Sequence, residues 1–255
     1  MKRILILSAL LLALACSPAR ADHPFGPGEK LTYGIFWTFI RAGTATLEML
    51  PNEIVEGQPA MHLRALAQTT PFIDRFYKVR DSIESWVDPG VTRALLYKKD
   101  QVEGDYERHY VVRFDKNGNV AYRYSKGALK NAVIIPTGTF DPLSILILCR
   151  VRPLTVGKDF AAPVTDGEKC VDGQARVVRR ETITTRAGEY DTLLIEPDVR
   201  DIGGVFRKSP NAKLQVWVTN DERRIPVLVK SAVIVGSFSM ELLEYEPPKP
   251  QRAPH

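Results

Sequence analysis

The stretch Lys30-Leu31-Thr32-Tyr33-Gly34-Ile35-Phe36-Trp37-Thr38-Phe39-Ile40-Arg41-Ala42-Gly43-Thr44-Ala45-Thr46-Leu47-Glu48-Met49 decides the fold class. Leu31, Tyr33, Ile35, Trp37 and Phe39 alternate with Thr32, Gly34 and Thr38, a period of two that fits a half-buried strand and not a helix. Arg41-Ala42-Gly43 reads as a turn, and Ala45, Leu47 and Met49 carry the alternation onto a partner strand. The segment therefore predicts a β-hairpin with one buried face.

The pattern continues outward from this hairpin. Met61, Leu63, Ala65 and Ala67 alternate with His62, Arg64 and Gln68, and Tyr106, Tyr110, Val112 and Phe114 alternate with Glu107, His109 and Arg113. Asn117-Gly118, between Phe114 and Val120, is the strongest short hairpin signal in the chain. Longer runs follow at 170–185, 190–196, 212–219, 225–235 and 237–245, with Gly188 and Gly236 as turn markers. Pro226 fits only near the start of its strand or on an edge. About a dozen strands of this kind predict an all-β fold: a large curved antiparallel sheet, half-barrel or barrel-like, or two sheets packed face to face.

Two segments break the alternation. Asp141-Pro142 followed by Leu143, Ile145, Leu146, Ile147 and Leu148 predicts one short helix, with Asp141 as N-cap and Pro142 at its first position. Being apolar nearly all round, it is expected to be buried against the sheet. The segment from Thr70 to Tyr77 reads as a helical turn that carries several large apolar groups.

Lys2-Arg3, the apolar run from Ile4 to Ala15 and Ala19-Arg20-Ala21 form the three parts of a secretory signal peptide, with cleavage after Ala21. The apolar run is shorter than the roughly 20 residues a spanning helix needs, so no transmembrane segment is expected in the mature chain. Cys16 leaves a second reading open, a lipoprotein anchored at that cysteine, although Ala13-Leu14-Ala15-Cys16 is a poor lipobox. Either way the chain is expected in the periplasm, as one β-rich domain over 22–246 with a disordered proline-rich tail over 247–255.

Removal of the leader takes away Lys2, Arg3 and Arg20 and no acid, lowering the net charge from +5 to +2. Most of the case for a nucleic-acid partner goes with it. Lys98-Lys99 and Arg179-Arg180 lack interleaved aromatics and read as surface charge. Cys149 and Cys170 are the cysteines left after the leader. In an oxidising compartment they predict one disulfide closing a loop of about 20 residues, worth roughly 3 kcal/mol; two buried free thiols are the alternative.

No catalytic, cofactor or metal-binding set is legible. His23, His62, His109 and His255 are widely spaced, and no nucleophile elbow, phosphate loop or dinucleotide fingerprint occurs. Asp81 with Glu84 and Asp221 with Glu222 are the carboxylate pairs close enough in sequence to consider for acid/base work, and each lies in a run of mixed charge. The chain is expected not to be an enzyme. Trp37 and Phe39 on the first hairpin, with Phe72 and Phe76 in the interrupting segment, are the expected lining of an apolar cavity, if the sheet encloses one.

Several segments carry a resemblance to a known family: Gly28-Glu29-Lys30-Leu31-Thr32-Tyr33, Arg41 to Glu48, Phe140-Asp141-Pro142-Leu143-Ser144, Ala187-Gly188-Glu189-Tyr190-Asp191-Thr192, and Val216 to Val227. In this order they resemble the bacterial exported proteins of domain of unknown function 3108, over nearly all of the mature chain. That resemblance implies no catalytic residue. The architecture is similar to the half-barrel lipoprotein carriers of the periplasm, an analogy of shape alone. Three functions follow as expectations: a binding protein for a lipid or other apolar envelope ligand, an interaction module with a filled core and an envelope protein partner, and an envelope hydrolase working through Asp81 or Glu84.

Overall fold

A strand with one apolar face needs neighbours for its backbone groups and a cover for that face, and the chain supplies both from consecutive segments. The computed structural model describes residues 23–200, 212–233 and 236–249. Its strands are β1 (Lys30–Trp37), β2 (Ile40–Val55), β3 (Gln58–Thr69), β4 (Val79–Val87), β5 (Ala94–Glu103), β6 (Tyr106–Phe114), β7 (Val120–Ser125) and β8 (Ala128–Ile134). They continue with β9 (Asp159–Thr165), β10 (Cys170–Thr185), β11 (Gly188–Pro197), β12 (Lys213–Thr219), β13 (Pro226–Val233) and β14 (Gly236–Glu246). Helix α1 (Pro71–Asp74) lies between β3 and β4, and α2 (Ser144–Val151) between β8 and β9.

All fourteen strands form one sheet in the order β8-β7-β6-β5-β4-β3-β2-β1-β14-β13-β12-β11-β10-β9, and neighbours are antiparallel. The sheet is curled and open, with β8 and β9 at its two edges. The edges nonetheless approach. Asn131 on β8 donates to the carbonyls of Gly167 and Glu168, just beyond β9, at 3.0 Å each. Phe140, which precedes α2, makes a parallel bridge to Val164 of β9. A zigzag chain places its connections alternately on two rims. The β1–β2 turn, α1 and the β5–β6 turn share one rim; the β2–β3 turn, the β4–β5 and β6–β7 loops and α2 fall at the other.

Helix α2 closes its rim. The Asp141 carboxylate accepts from the backbone N–H groups of Leu143 (2.8 Å) and Ser144 (2.9 Å), while Ser144 Oγ accepts from the Asp141 N–H. That is the expected capping, although the regular helix begins at Ser144. The other carboxylate oxygen accepts from Ser85 on β4 at 2.6 Å, which ties the cap to the sheet. Ile147 and Leu148 pack with Leu63, Val87, Tyr97 and Val112 in the largest apolar cluster. One turn on, the Arg150 guanidinium grips Glu29 with two nitrogens, at 2.6 and 2.9 Å. Both side chains are 2% exposed.

Several sequence expectations need correction. The first hairpin turns at Thr38-Phe39, not at Arg41-Ala42-Gly43, and Trp37 pairs with Ile40. Gly43 is a strand glycine: a Cβ there would sit 2.4 Å from the Gln68 carbonyl oxygen, so its absence lets β2 and β3 approach. Cys149 and Cys170 are free thiols and not the expected disulfide. They face different neighbours. Burial against α2's surroundings pushes the Cys149 thiol up to about 11, with Arg152 and Arg224 nearby, whereas Cys170 opens β10 and bonds to Thr139. Within the segment 247–255, the Lys249 N–H donates to the Pro27 carbonyl at 3.0 Å. Residues 250–255, the leader Met1 to Ala21 and Cys16 lie outside the described residues. Among the described residues no helix is long and apolar enough to cross a membrane.

Candidate functional site

Along the inner face of β1 burial falls off in one direction. Leu31 and Tyr33 are buried, Ile35 is half-buried, and Trp37, at the rim opposite α2, is 45% exposed. The same rim carries α1. Thr70 caps this single turn by accepting from the Ile73 N–H, Pro71 starts it, and Asp74 holds Arg80 at 2.6 Å. A four-residue helix has no stability of its own and depends on what it covers. None of its residues is buried; Phe72 is 59% and the following Phe76 76% exposed, the two rings meeting edge to face at 5.7 Å.

Between this turn and the sheet lies a cavity of about 600 Å³. Its sheet side comes from Ile35, Trp37, Ile40, Ala67, Val79 and Phe238, and its outer wall from Phe72, Ile73, Phe76 and Tyr77. Gln68 and Thr69 add the few polar atoms. Gly43, glycine for the reason given above, leaves part of the floor without a side chain. Trp37 and Phe238, paired across β1 and β14, stack at 6.5 Å. The volume and lining are those of a site for an apolar small molecule.

One shoulder of the cavity is polar. Asp81 pairs with Ala67 across β3 and β4, and Lys99 pairs with Ile83 across β4 and β5, so both share the inner face. Burial, and then the charge of Glu103, raises the Asp81 carboxyl to about 6. Burial also lowers the Lys99 amine, against the opposing pull of Asp81 and Glu103. Tyr77 closes the group, its phenol raised by burial and then by Glu103. Lys99 is thus an inward residue and not the surface charge expected of it.

The expected carboxylate pairs do not assemble. Asp81 and Glu84 are three residues apart on one strand and lie on opposite faces. On the outer face Glu84 meets His62 Nε2 at 2.9 Å and Lys98 at 3.6 Å. Asp221 accepts from Thr219 Oγ (2.6 Å) and from the N–H groups of Arg223 and Arg224 (3.1 Å each), shaping the β12–β13 turn. His62 is buried, stacked on Trp86 with ring centroids 4.2 Å apart, and bonded also to Glu53 at 3.0 Å. A second depression, about 760 Å³, lies on the outer face among Asp100, His109, Arg113, Asp115, Tyr122 and Tyr124. Its charged walls suit water. Among the described residues no three His, Cys, Asp or Glu side chains are grouped to hold a metal.

The profile of the family described as "protein of unknown function (DUF3108)" matches residues 32–243. The chain belongs to that family. None of the curated proteins matches it. Among solved structures, the β-barrel-like protein of domain of unknown function DUF1849 from Brucella abortus is 9% identical, over 86% of this chain and 97% of that one, at a TM-score of 0.52. That likeness shows the fold. A candidate lipoprotein from Parabacteroides distasonis (12% identical, 88% and 97% covered, TM-score 0.36) is a more distant likeness. So is a candidate exported protein with a YmcC-like fold from Bacteroides fragilis (10%, 88% and 98%, TM-score 0.37).

In this DUF3108 chain the cavity brings together three of the four expected lining aromatics, Trp37, Phe72 and Phe76. Phe39 is not among them: as a turn residue it stands 91% exposed beside the mouth. The sequence reading missed Ile40, Val79 and Phe238. Ile40 falls between the expected strand and the expected Arg41-Ala42-Gly43 turn, and Phe238 lies about 200 residues from Trp37, its partner across the sheet. It also missed Glu29 and Arg150, which the fold joins across 121 residues.

Proposed function

We propose that this DUF3108 protein is a non-catalytic binding protein of the bacterial envelope that holds an apolar ligand, a lipid or lipoprotein acyl chain, in the cavity beneath α1. One observation carries the reading: the cavity lining is apolar except at Gln68, Thr69 and Tyr77. An acyl chain gains roughly 0.8 kcal/mol per methylene removed from water, so even part of a chain is held there against dissociation. The sequence of Met1 to Ala21 supports the location, since it reads as an export leader. The separation of Asp81 from Glu84 supports binding over hydrolysis, because it removes the carboxylate pair a hydrolase would use.

Native mass spectrometry of the mature protein, purified from a periplasmic fraction without detergent and followed by solvent extraction, tests the reading. A stoichiometric apolar adduct is expected. A clean apo mass that stays unchanged after incubation with envelope lipids would refute it, and would favour an interaction module with a protein partner.

A further inference from the structure

Charged walls that suit water also suit a ligand covered with hydroxyl groups. The depression of about 760 Å³ on the outer face has such walls, and its floor is aromatic. Tyr122 and Tyr124 of β7 alternate with the buried Ala121 and Arg123, so both belong to the outer face. Across β6 they stand opposite Arg113 and Val111. Two residues along a strand advance about 6.6 Å, and the two rings form successive platforms.

Both platforms are uncovered. Elsewhere in the sheet a cation lies over such a ring: Arg123 over Tyr110 at 3.7 Å, and Arg186 over Phe36 at 3.9 Å. Arg113 stands directly across from Tyr122, yet its guanidinium is turned to Glu56 of the β2–β3 turn, at 2.8 Å. His109, two positions before Val111 on β6, is held by Asp100 at 3.1 Å. Among the described residues neither Tyr122 nor Tyr124 has a ring contact, and neither hydroxyl makes a hydrogen bond. The polar groups of the walls are thus fixed by one another while the ring faces and phenol groups stay available.

The charges around the floor cancel. Glu56, Asp100 and Asp115 stand against Arg113, Lys116 and Lys126, so the depression offers neither a polyanion nor a polycation a net attraction. It offers flat apolar faces within a border of hydrogen-bond donors and acceptors. A sugar ring is complementary to that surface: C–H groups on one side pack on an aromatic face, and each hydroxyl at its edge both donates and accepts.

We infer that this depression binds an uncharged oligosaccharide, with successive sugar rings stacked on Tyr122 and Tyr124 and their hydroxyls bonded to the groups of the walls. The site lies on the opposite face of the sheet from the α1 cavity. It stands whether or not that cavity holds a lipid.

Isothermal titration calorimetry of the mature protein with chitotetraose and with maltotetraose, two uncharged oligosaccharides, tests the inference. Saturable binding of at least one is expected, little changed by salt because the ligand carries no charge. Tyr124→Ser should weaken it about tenfold. Tyr124→Phe keeps the ring and loses only the hydroxyl, and should weaken it about threefold. Circular dichroism verifies the fold of each variant, and the phenylalanine variant preserves the packing should the serine variant not fold. Ala67→Phe, which fills the floor of the α1 cavity, should bind the sugar as the wild type does, which separates this site from the ligand reading. Absence of saturable binding by both oligosaccharides, wild-type affinity in a folded Tyr124→Ser, or displacement of the sugar by oligothymidylate at equal concentration would overturn the inference.

Discussion

The two ends of the inner face are built from the same kind of strand and covered in opposite ways. At the α2 end a two-turn helix is capped by Asp141, pinned by the Arg150–Glu29 pair and sunk into the largest apolar cluster. At the α1 end a single turn without a buried residue stands over an apolar cavity, its aromatics open to solvent. A β-sheet that needed only stability would be filled at both ends, because an unfilled apolar cavity forfeits packing and transfer free energy. The contrast teaches that the α2 end holds the fold while the α1 end leaves room for something else.

If that division is right, the two ends should answer mutation differently. The largest effect is expected at Arg150. Arg150→Met leaves the Glu29 carboxylate buried without its partner and should cost about 3–5 kcal/mol in urea unfolding. Glu29→Gln combined with Arg150→Met should cost much less than the sum of the two single changes. A loss under 1 kcal/mol for the single variant would mean that the pair does not hold the α2 end. Gly43→Ala comes next, at about 2 kcal/mol, because its Cβ meets backbone and not a movable side chain.

A smaller, pH-dependent effect belongs to the polar shoulder. The folded protein holds the Asp81 proton up to about pH 6, above the usual carboxylate range near 3.9, so the native state binds that proton more tightly. The resulting stability is complete below about pH 4 and is lost as pH rises through 6. Asp81→Asn should flatten this part of the profile and raise stability at pH 8 by on the order of 1 kcal/mol, since a half-exposed group is screened by solvent. Unfolding curves between pH 3 and 8 measure it, and an unchanged profile would place Asp81 in water. The smallest change is expected at α1, where Phe72→Ala with Phe76→Ala should move stability by no more than about 0.5 kcal/mol while weakening ligand retention.

The same division explains what the sequence disclosed. Where strands cross the filled part, apolar and polar residues alternate, and the expected runs at 170–185 and 237–245 agree with β10 and β14 to within one residue at either end. Strands β4 and β5 went unread because Arg80, Asp81, Glu84, Lys98, Lys99 and Asp100 place charge on both faces. The inner ones border a polar shoulder, the outer ones face water or the His62 network. Strand β8 hid for another reason: it is an edge strand exposed on nearly every residue, so burial imposes no alternation on it. Asn117-Gly118 does mark a hairpin, but the loop is organised by Asp115, which accepts from the N–H groups of Asn119 and Val120. At the cavity, composition identified the aromatics of α1 but missed Phe238, because pairing of β1 with β14 closes a separation that no local pattern encodes.

The claim that the α1 end is a ligand site is tested most directly by comparing native mass spectra of the wild type and Ala67→Phe, both purified without detergent. Ala67 lines the cavity floor and is far from the Arg150–Glu29 pair, so a phenyl group there should fill the space without loosening the α2 end. A stoichiometric lipid adduct is expected on the wild type and none on Ala67→Phe, at equal urea midpoints. An adduct retained by Ala67→Phe, or a wild type that carries and acquires none, would contradict it.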